Sequence, residues 1–260
     1  MNPAPLVFIT GASSGIGQAL ALRYHRAGWR LALVARRADE VRQWAVAQGI
    51  AAGQLAVYAA DVREVEAITA AGRACTAELG LPDVVIANAG ISVGMDTADA
   101  ADLAVMRATL ETNVLGMAAT FQPFVAAMGR RGSGALVGIA SVAGIRGLPG
   151  HGAYCASKAA VISYCESLRG ECRHQSVKVV TIAPGYIDTP LTRGNRYAMP
   201  FLMTAPEFAD RAYRAIVAGT SYSVIPWQMG LVAKLLRLLP NWLFDRAFAG
   251  RTRKPRAGDG

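Results

Sequence analysis

The chain has 260 residues, 53% hydrophobic and 17% charged, which excludes a disordered chain and leaves ample material for one large α/β core or two small ones. The net charge of +9 is uneven, because Trp227 to Gly260 holds seven Lys or Arg against two Asp and so carries +5. Four cysteines with no C-x-x-C pair and only three histidines argue against a zinc site or a disulfide framework, so the thiols are expected to be small buried hydrophobes.

The opening "MNPAPLVFITGASSG" lacks the basic n-region of a secretory signal, and no run reaches the roughly 18 apolar residues of a membrane span. A cytoplasmic protein is the expectation. Short apolar runs over 6–10, 30–35, 55–60, 83–87, 135–140, 177–183 and 222–226 alternate with helical stretches such as 17–27, 65–79, 113–129 and 153–174. Continuous apolar strands suit a parallel sheet buried on both faces. The alternation predicts a Rossmann-like, doubly wound α/β fold with seven mainly parallel strands and helices on both faces.

The first strand runs into "TGASSGIGQALA", with Gly11, Gly15 and Gly17 spaced G-x-x-x-G-x-G. A strand, a glycine turn and a helix N-terminus put backbone N–H groups where a pyrophosphate binds. The second strand ends "LALVARR". The position where an acid would hold the 2′-OH of NAD is Ala35, and Arg36 and Arg37 follow. A guanidinium there grips the 2′-phosphate of NADP.

The fourth strand ends in Asn88, Ala89 and Gly90, and a helix beyond it carries Asn113 in "ETNVLGM". Asparagine is a poor helix former, so a polar task is expected of it. The fifth strand leads to Ser141 at the C-terminal edge of the sheet, where ligands bind in open α/β folds. "GAYCASKAAV" then places Tyr154 and Lys158 at i, i+4, on one helix face. A neighbouring ammonium lowers a phenol's pKa, which makes the pair a general acid/base unit for hydroxyl–carbonyl interconversion.

With these residues in order, the sequence resembles the short-chain dehydrogenase/reductase family over about residues 6–226. The resemblance rests on "TGASSGIG", Asp61 and Val62, "NAG", Asn113, Ser141, "YCASK" and "PGYIDTP". It implies an NADP(H)-dependent enzyme that interconverts a ketone or aldehyde and an alcohol. Tyr154 would move the proton on the substrate oxygen. Lys158 would lower its pKa and hold the nicotinamide ribose. Ser141 would orient the carbonyl, and Asn113 would position a relay water. Gly11, Ser13, Ser14, Gly15, Ile16 and Gly17 would cradle the cofactor phosphates. Asp61 and Val62 would meet adenine, Asn88 to Gly90 would line the cleft, and Pro184, Gly185, Ile187 and Thr189 would flank the nicotinamide. A catalytically silent NADP-binding regulator would be expected to lose Tyr154, Lys158 or Ser141, and none is lost. The resemblance also implies a homodimer or homotetramer, paired through the helices at 113–129 and 153–174.

A lid at 186–205 and the facing residues offer Tyr186, Tyr197, Val142 and His151 to substrate, alongside Met199, Phe201, Leu202 and Met203. This predicts a largely apolar substrate. Arg193 and Arg196 are further candidates for an anionic group. No metal site and no nucleic-acid surface is expected.

The catalytic domain is expected to span 1–226, with 227–260 as an amphipathic basic extension. At 100° per residue Leu231, Val232, Leu235, Leu236, Leu238 and Leu239 share one arc opposite Lys234 and Arg237. About 17 Å of helix is too short to span a bilayer. Asn241 is read as the cap of a second short helix. Two readings stand for 229–254: its apolar face packs on the domain or a sister subunit, or it makes peripheral contact with an anionic membrane.

Overall fold

The structure is a computed structural model and describes residues 3–195, 197–250 and 254–256. The chain runs β1 (Leu6–Thr10), α1 (Gly15–Arg26), β2 (Arg30–Ala35), α2 (Ala38–Ala47), β3 (Leu55–Ala59), α3 (Val65–Leu79) and β4 (Val84–Ala87). It continues with α4 (Leu103–Leu110), α5 (Gly116–Arg131), β5 (Ala135–Ile139), α6 (Gly152–Glu171) and β6 (Lys178–Pro184). The segment 186–205 holds β7 (Ile187–Asp188), α7 (Pro190–Arg193) and β8 (Met203–Thr204), and is followed by α8 (Ala205–Ala218), β9 (Tyr222–Ile225), α9 (Trp227–Leu238) and α10 (Asn241–Phe248).

Seven strands form one sheet in the order β3-β2-β1-β4-β5-β6-β9, with every neighbouring pair parallel. This is the doubly wound fold the strand–helix alternation predicts. The period of two along each strand feeds two cores. Val7, Ile9, Leu31 and Leu33 pack with Leu20 and Tyr24 of α1, Val41 of α2 and Phe208 of α8. Leu6, Phe8, Ala32 and Val34 face the other way, with Ile68 of α3, Phe121 and Phe124 of α5 and Val161 of α6. Each large apolar side chain so buried stabilises the fold by about 1.5–3 kcal/mol. The chain reverses winding direction between β1 and β4, which opens a crevice at the C-terminal ends of the strands. All four cysteines are buried free thiols.

Two helix ends differ from the sequence expectation. The helix expected to start at Asn113 begins at Leu103 and passes through a π-helical turn, Glu111–Leu115, into α5. Such turns are frequent at functional sites. The Asn241 side chain caps no helix: it is the first residue of α10, and its Oδ1 accepts from Arg146 Nη2 at 3.1 Å.

The sequence leaves open which surface α9 covers. The helix packs on the domain through its small side, Met229, Gly230 and Ala233, rather than its leucines. A Cβ on Gly230 would lie 3.2 Å from Val224, and one on Gly185 would lie 2.7 Å from Met229. That close seating turns Leu231, Leu235 and Leu238 outward with Trp227, Lys234 and Arg237, and leaves Val232, Leu236 and Leu239 half-buried. Among the described residues no helix is long and apolar enough to cross a membrane.

Candidate active site

A cleft of ≈ 510 Å³ at the crevice takes in Ser141 and every residue expected at the cofactor except Gly17. Gly17 lies beneath it, where a Cβ would come 2.2 Å from the Gly11 carbonyl oxygen. Gly11 has φ +68°, and a Cβ there would sit 2.8 Å from the Ala89 Cα. Glycine at both positions lets the turn fold flat onto β4 and open into α1, whose N-terminus carries no acidic side chain to repel an anion. Asn88 lines the cleft but commits its amide to the Thr10 and Gly11 carbonyls, at 3.0 and 3.3 Å. Its task is therefore to hold the turn. These features fit the diphosphate of a dinucleotide.

Ala35, Arg36, Arg37, Asp61, Val62 and Arg63 gather at the far end of the cleft. Arg63 adds a third guanidinium that the sequence reading missed. It reaches Asp61 at 2.7 Å, and Arg36 stands 3.9 Å from the same carboxylate. The Arg63 hydrogen bond is the main cause holding the Asp61 carboxyl below the ordinary range. Arg37 pairs with Glu40 at 3.2 Å on the exposed start of α2. The spacing of Asp61 and Arg63 in the turn after β3 was the available signal, a carboxylate with a cation two residues on.

Ser141, Tyr154 and Lys158 line the other end. Ser141 follows β5, and its Oγ accepts from Ala143 N at 3.2 Å. Tyr154 and Lys158 lie on the first turns of α6. The Lys158 Nζ donates to the Ile139 carbonyl at 2.7 Å and stands 5.8 Å from the Tyr154 ring centroid. Burial pulls Lys158 down to about 8. Desolvation pushes the Tyr154 phenol up, against the effect of the Ser141 hydroxyl. The lowering expected from Lys158 is not found in this arrangement: only the Ser141 hydroxyl lowers the phenol, and loss of solvent outweighs it.

Asn113 is buried in the π-helical turn and does not line the cleft. Its Oδ1 accepts from Ile91 N at 2.8 Å, and its Nδ2 donates to Ile91 O and Ser157 Oγ at 3.0 and 2.9 Å. It thus ties the loop after β4 to α6. A Cβ on Gly90 would lie 3.2 Å from Asn113 Oδ1 and 3.5 Å from Lys158 Nζ, so that oxygen and the ammonium converge on Gly90.

Val142, His151, Tyr186 and Tyr197 also lie outside the lining of that cleft. His151 Nε2 is 3.3 Å from the Tyr197 hydroxyl, and Tyr197 lies 6.2 Å, centroid to centroid, from Tyr186. Val142 opens a short 3-10 turn directly after Ser141. Arg193 is committed to Asp188 at 3.0 Å, and Arg196 lies outside the described residues. Among the described residues no cluster of three or more His, Cys, Asp or Glu is placed to hold a metal.

The family model for short chain dehydrogenases matches residues 5–199. An uncharacterized oxidoreductase of Myxococcus xanthus is 39% identical over 242 residues, covering 92% of this chain and 94% of that protein. Bovine dehydrogenase/reductase SDR family member 7B is 33% identical over 271 residues, covering 96% of this chain and 82% of that protein. Among solved structures, an alcohol dehydrogenase of Thermococcus sibiricus complexed with 5-hydroxy-NADP is 26% identical. It superposes with a TM-score of 0.75 and covers 85% of this chain and 96% of that one.

Proposed function

This chain belongs to the short-chain dehydrogenase/reductase family of oxidoreductases, and from that premise we propose that it is an NADPH-dependent reductase of a ketone or aldehyde, with Tyr154 as general acid. The observation that carries this reading is one continuous cleft holding Ser141, Tyr154 and Lys158 at one end and Arg36, Arg37 and Arg63 at the other. Family members use nicotinamide dinucleotides, and the bound nicotinamide supplies or accepts the hydride. The remaining tasks fall on the chain. Arg36, with Arg37 and Arg63, holds the 2′-phosphate, and Ala35 presents no carboxylate against it. Ser141 donates to the carbonyl oxygen and polarises it. The protonated Tyr154 delivers its proton to the same oxygen, completing the alcohol. Lys158 holds the ribose and supplies positive charge beside the phenolate left behind. Asn113 sets the loop at Ile91 against α6 and so fixes the distance between Gly90 and Lys158.

Fluorescence titration with NADPH and NADH, followed by a ketone screen read as loss of NADPH absorbance, tests the proposal. NADPH binding in the micromolar range and turnover of a carbonyl are expected. No NADPH binding below millimolar sinks the reading, and tighter NADH binding refutes the role of Arg36.

The outward face of α9 favours a location for this activity. Trp227, Leu231, Leu235, Leu238 and Trp242 are 53% to 80% exposed, with Lys234, Arg237 and Arg246 among them. Bulky apolar groups beside cations suit the interface of an anionic bilayer. We therefore read residues 227–260 as a basic extension that brings the reductase to a membrane surface peripherally. Assembly as a homodimer or homotetramer uses the helices at 113–129 and 153–174, where Leu115 is exposed. Vesicles containing phosphatidylserine should sediment the full-length protein, and Leu235→Glu with Leu238→Glu should release it. Equal sedimentation of the two proteins overturns the membrane contact.

A further inference from the structure

The described tail residues Lys254, Pro255 and Arg256 lie as a strap across the loop between β4 and α4. Gly94 pairs with Arg256 in a parallel bridge, and its N–H donates to the Pro255 carbonyl at 3.0 Å. The Arg256 guanidinium donates to Asp102 at 2.8 Å and also pairs with Asp99. Both carboxyls are held below their ordinary range, first of all by that guanidinium. A Cβ on Gly94 would stand 2.1 Å from the Lys254 carbonyl oxygen, so the loop is shaped to receive the strap. The loop is itself fixed to the catalytic helix. Met95 N donates to Gly150 O at 3.1 Å, and the Met95 sulfur accepts from Ala153 N at 3.2 Å, one residue before Tyr154.

This anchoring places Lys254 against a residue of the cleft lining. Its Nζ is 3.5 Å from the carbonyl oxygen of Leu191, a lid residue that lines the cleft. His151 lies close enough to feel its charge, and its ring is held between the Pro149 carbonyl at 3.1 Å and the Tyr197 hydroxyl at 3.3 Å. His151 is kept neutral first by burial and further by the charge of Lys254. The ammonium is itself pulled down by burial. Among the described residues no carboxylate pairs with it, while the nearby lid cation Arg193 is already taken by Asp188. A contact of 3.5 Å to a carbonyl is long for a hydrogen bond and leaves the donors of Lys254 available. Nor is Lys254 needed as the anchor, since Arg256 and the Pro255 carbonyl hold the strap. A partly desolvated cation without an anion is costly, and a ligand anion relieves that cost.

We propose that the strap is a wall of the substrate pocket and that Lys254 is a specificity-determining residue which binds an anionic group, carboxylate or phosphate, at the end of the substrate remote from the reacting carbonyl. The substrate is then an amphiphile: an apolar body against the lid with Tyr186 and Tyr197, and a charged end at Lys254. This rests on the reductase reading of the cleft for its place in the reaction, but not for its test.

Calorimetry on the full-length protein, with and without NADP⁺, measures binding of octanoate, octyl phosphate and octanamide, three probes with one chain length and different head groups. The expected result is that at least one anion binds tenfold or more tighter than octanamide. That ratio falls to about one in Lys254→Gln and is kept in Lys254→Arg. Which anion binds better distinguishes a carboxylate from a phosphate substrate. Equal binding of all three probes to the unaltered protein, absence of binding by any, or a preference that survives in Lys254→Gln overturns the proposal. Because nothing is turned over, a protein that binds octanoate through Lys254 yet reduces no ketone refutes the reductase reading alone.

Discussion

The Arg146 guanidinium lies 4.1 Å over the Phe244 ring, and the same group donates to the carbonyls of Leu236, Arg237 and Leu239 at 2.8, 3.0 and 2.9 Å. One side chain from the loop between β5 and α6 thus closes the C-terminal end of α9 and holds α10. That loop carries Ser141, so the extension is fastened to the same segment that supplies a candidate catalytic residue. Arg146→Ala should cost about 2 kcal/mol by leaving these carbonyls without a donor. Hydrogen exchange should rise across 227–248 while the sheet stays protected. Unchanged protection there would show that α9 is held by its Met229 and Ala233 face alone.

Tyr154→Phe keeps the ring and removes the proton. Turnover of any validated ketone should fall by about 10²–10⁴, the usual contribution of a general acid. The NADPH dissociation constant should change by less than about twofold, since the hydroxyl faces the reacting carbonyl. Normal turnover in this variant would move the acid to another residue.

Lys158 imposes a pH dependence on stability. Its folded pKa is lowered to about 8, whereas an unfolded lysine titrates near 10.4. Between those values the unfolded chain holds the proton that the folded one has lost, so this group's contribution favours folding increasingly as pH rises from about 8 to 10.4. Below pH 8 the buried ammonium costs about 3 kcal/mol in full. Cys165, raised from 9.0 to about 11, acts in the opposite sense within an overlapping range, so the comparison must be a difference. The stability of the unaltered protein minus that of Lys158→Met, from urea titrations, should climb across this window. A flat difference would mean that Lys158 is solvated in the folded state.

The fold was readable because each strand is an uninterrupted apolar run with a helix-length gap after it. The cofactor end was readable because glycine spacing is a backbone requirement that sequence displays directly. Other features depend on distance in space. Besides the four-residue α7, three helices were not singled out. In α2 only Ala38, Val41 and Ala45 are buried, and in α4 only Thr109, so neither shows a strong apolar stripe. The third, α8, carried a usable signal in its Thr204–Glu207 capping box. The orientation of α9 is open in the sequence, where the leucine arc could face the domain, a sister subunit or a membrane. Gly230 and Ala233 allow a closer seat than leucine does. The contact between Gly94 and Lys254 spans most of the chain, and no local pattern announces it.

Arg36 and Arg63 should discriminate between cofactors. Each stands at the adenosine end, and each pairs with Asp61 in the described structure. Replacing either by Ala should weaken NADPH binding about tenfold, the equivalent of one charge-assisted phosphate contact of about 1.4 kcal/mol. NADH binding should hardly move, because it lacks the 2′-phosphate. The NADPH affinity of the unaltered protein should also fall with salt more steeply than that of Arg36→Ala. Equal losses for both cofactors would mean that the arginines support the fold of the cleft rather than the phosphate.

Gly94 and Arg256 hold the strap by different means, one by leaving room for the Lys254 carbonyl and the other by pairing with Asp99 and Asp102. Gly94→Ala pushes a methyl group into that carbonyl, and Arg256→Ala removes the clasp. Either change alone should detach Lys254–Arg256 while leaving the sheet and its two cores intact, so the thermal midpoint should shift by only a few degrees. Once the strap is off, the second change has nothing left to remove. The loss of octanoate affinity in the double variant should therefore match that of the larger single variant. Additive losses would mean that the two residues act at separate places, with Arg256 bracing the Asp99–Asp102 turn and Gly94 shaping the loop above α6. Calorimetric titration of the four proteins of this cycle under one set of conditions decides between the two outcomes.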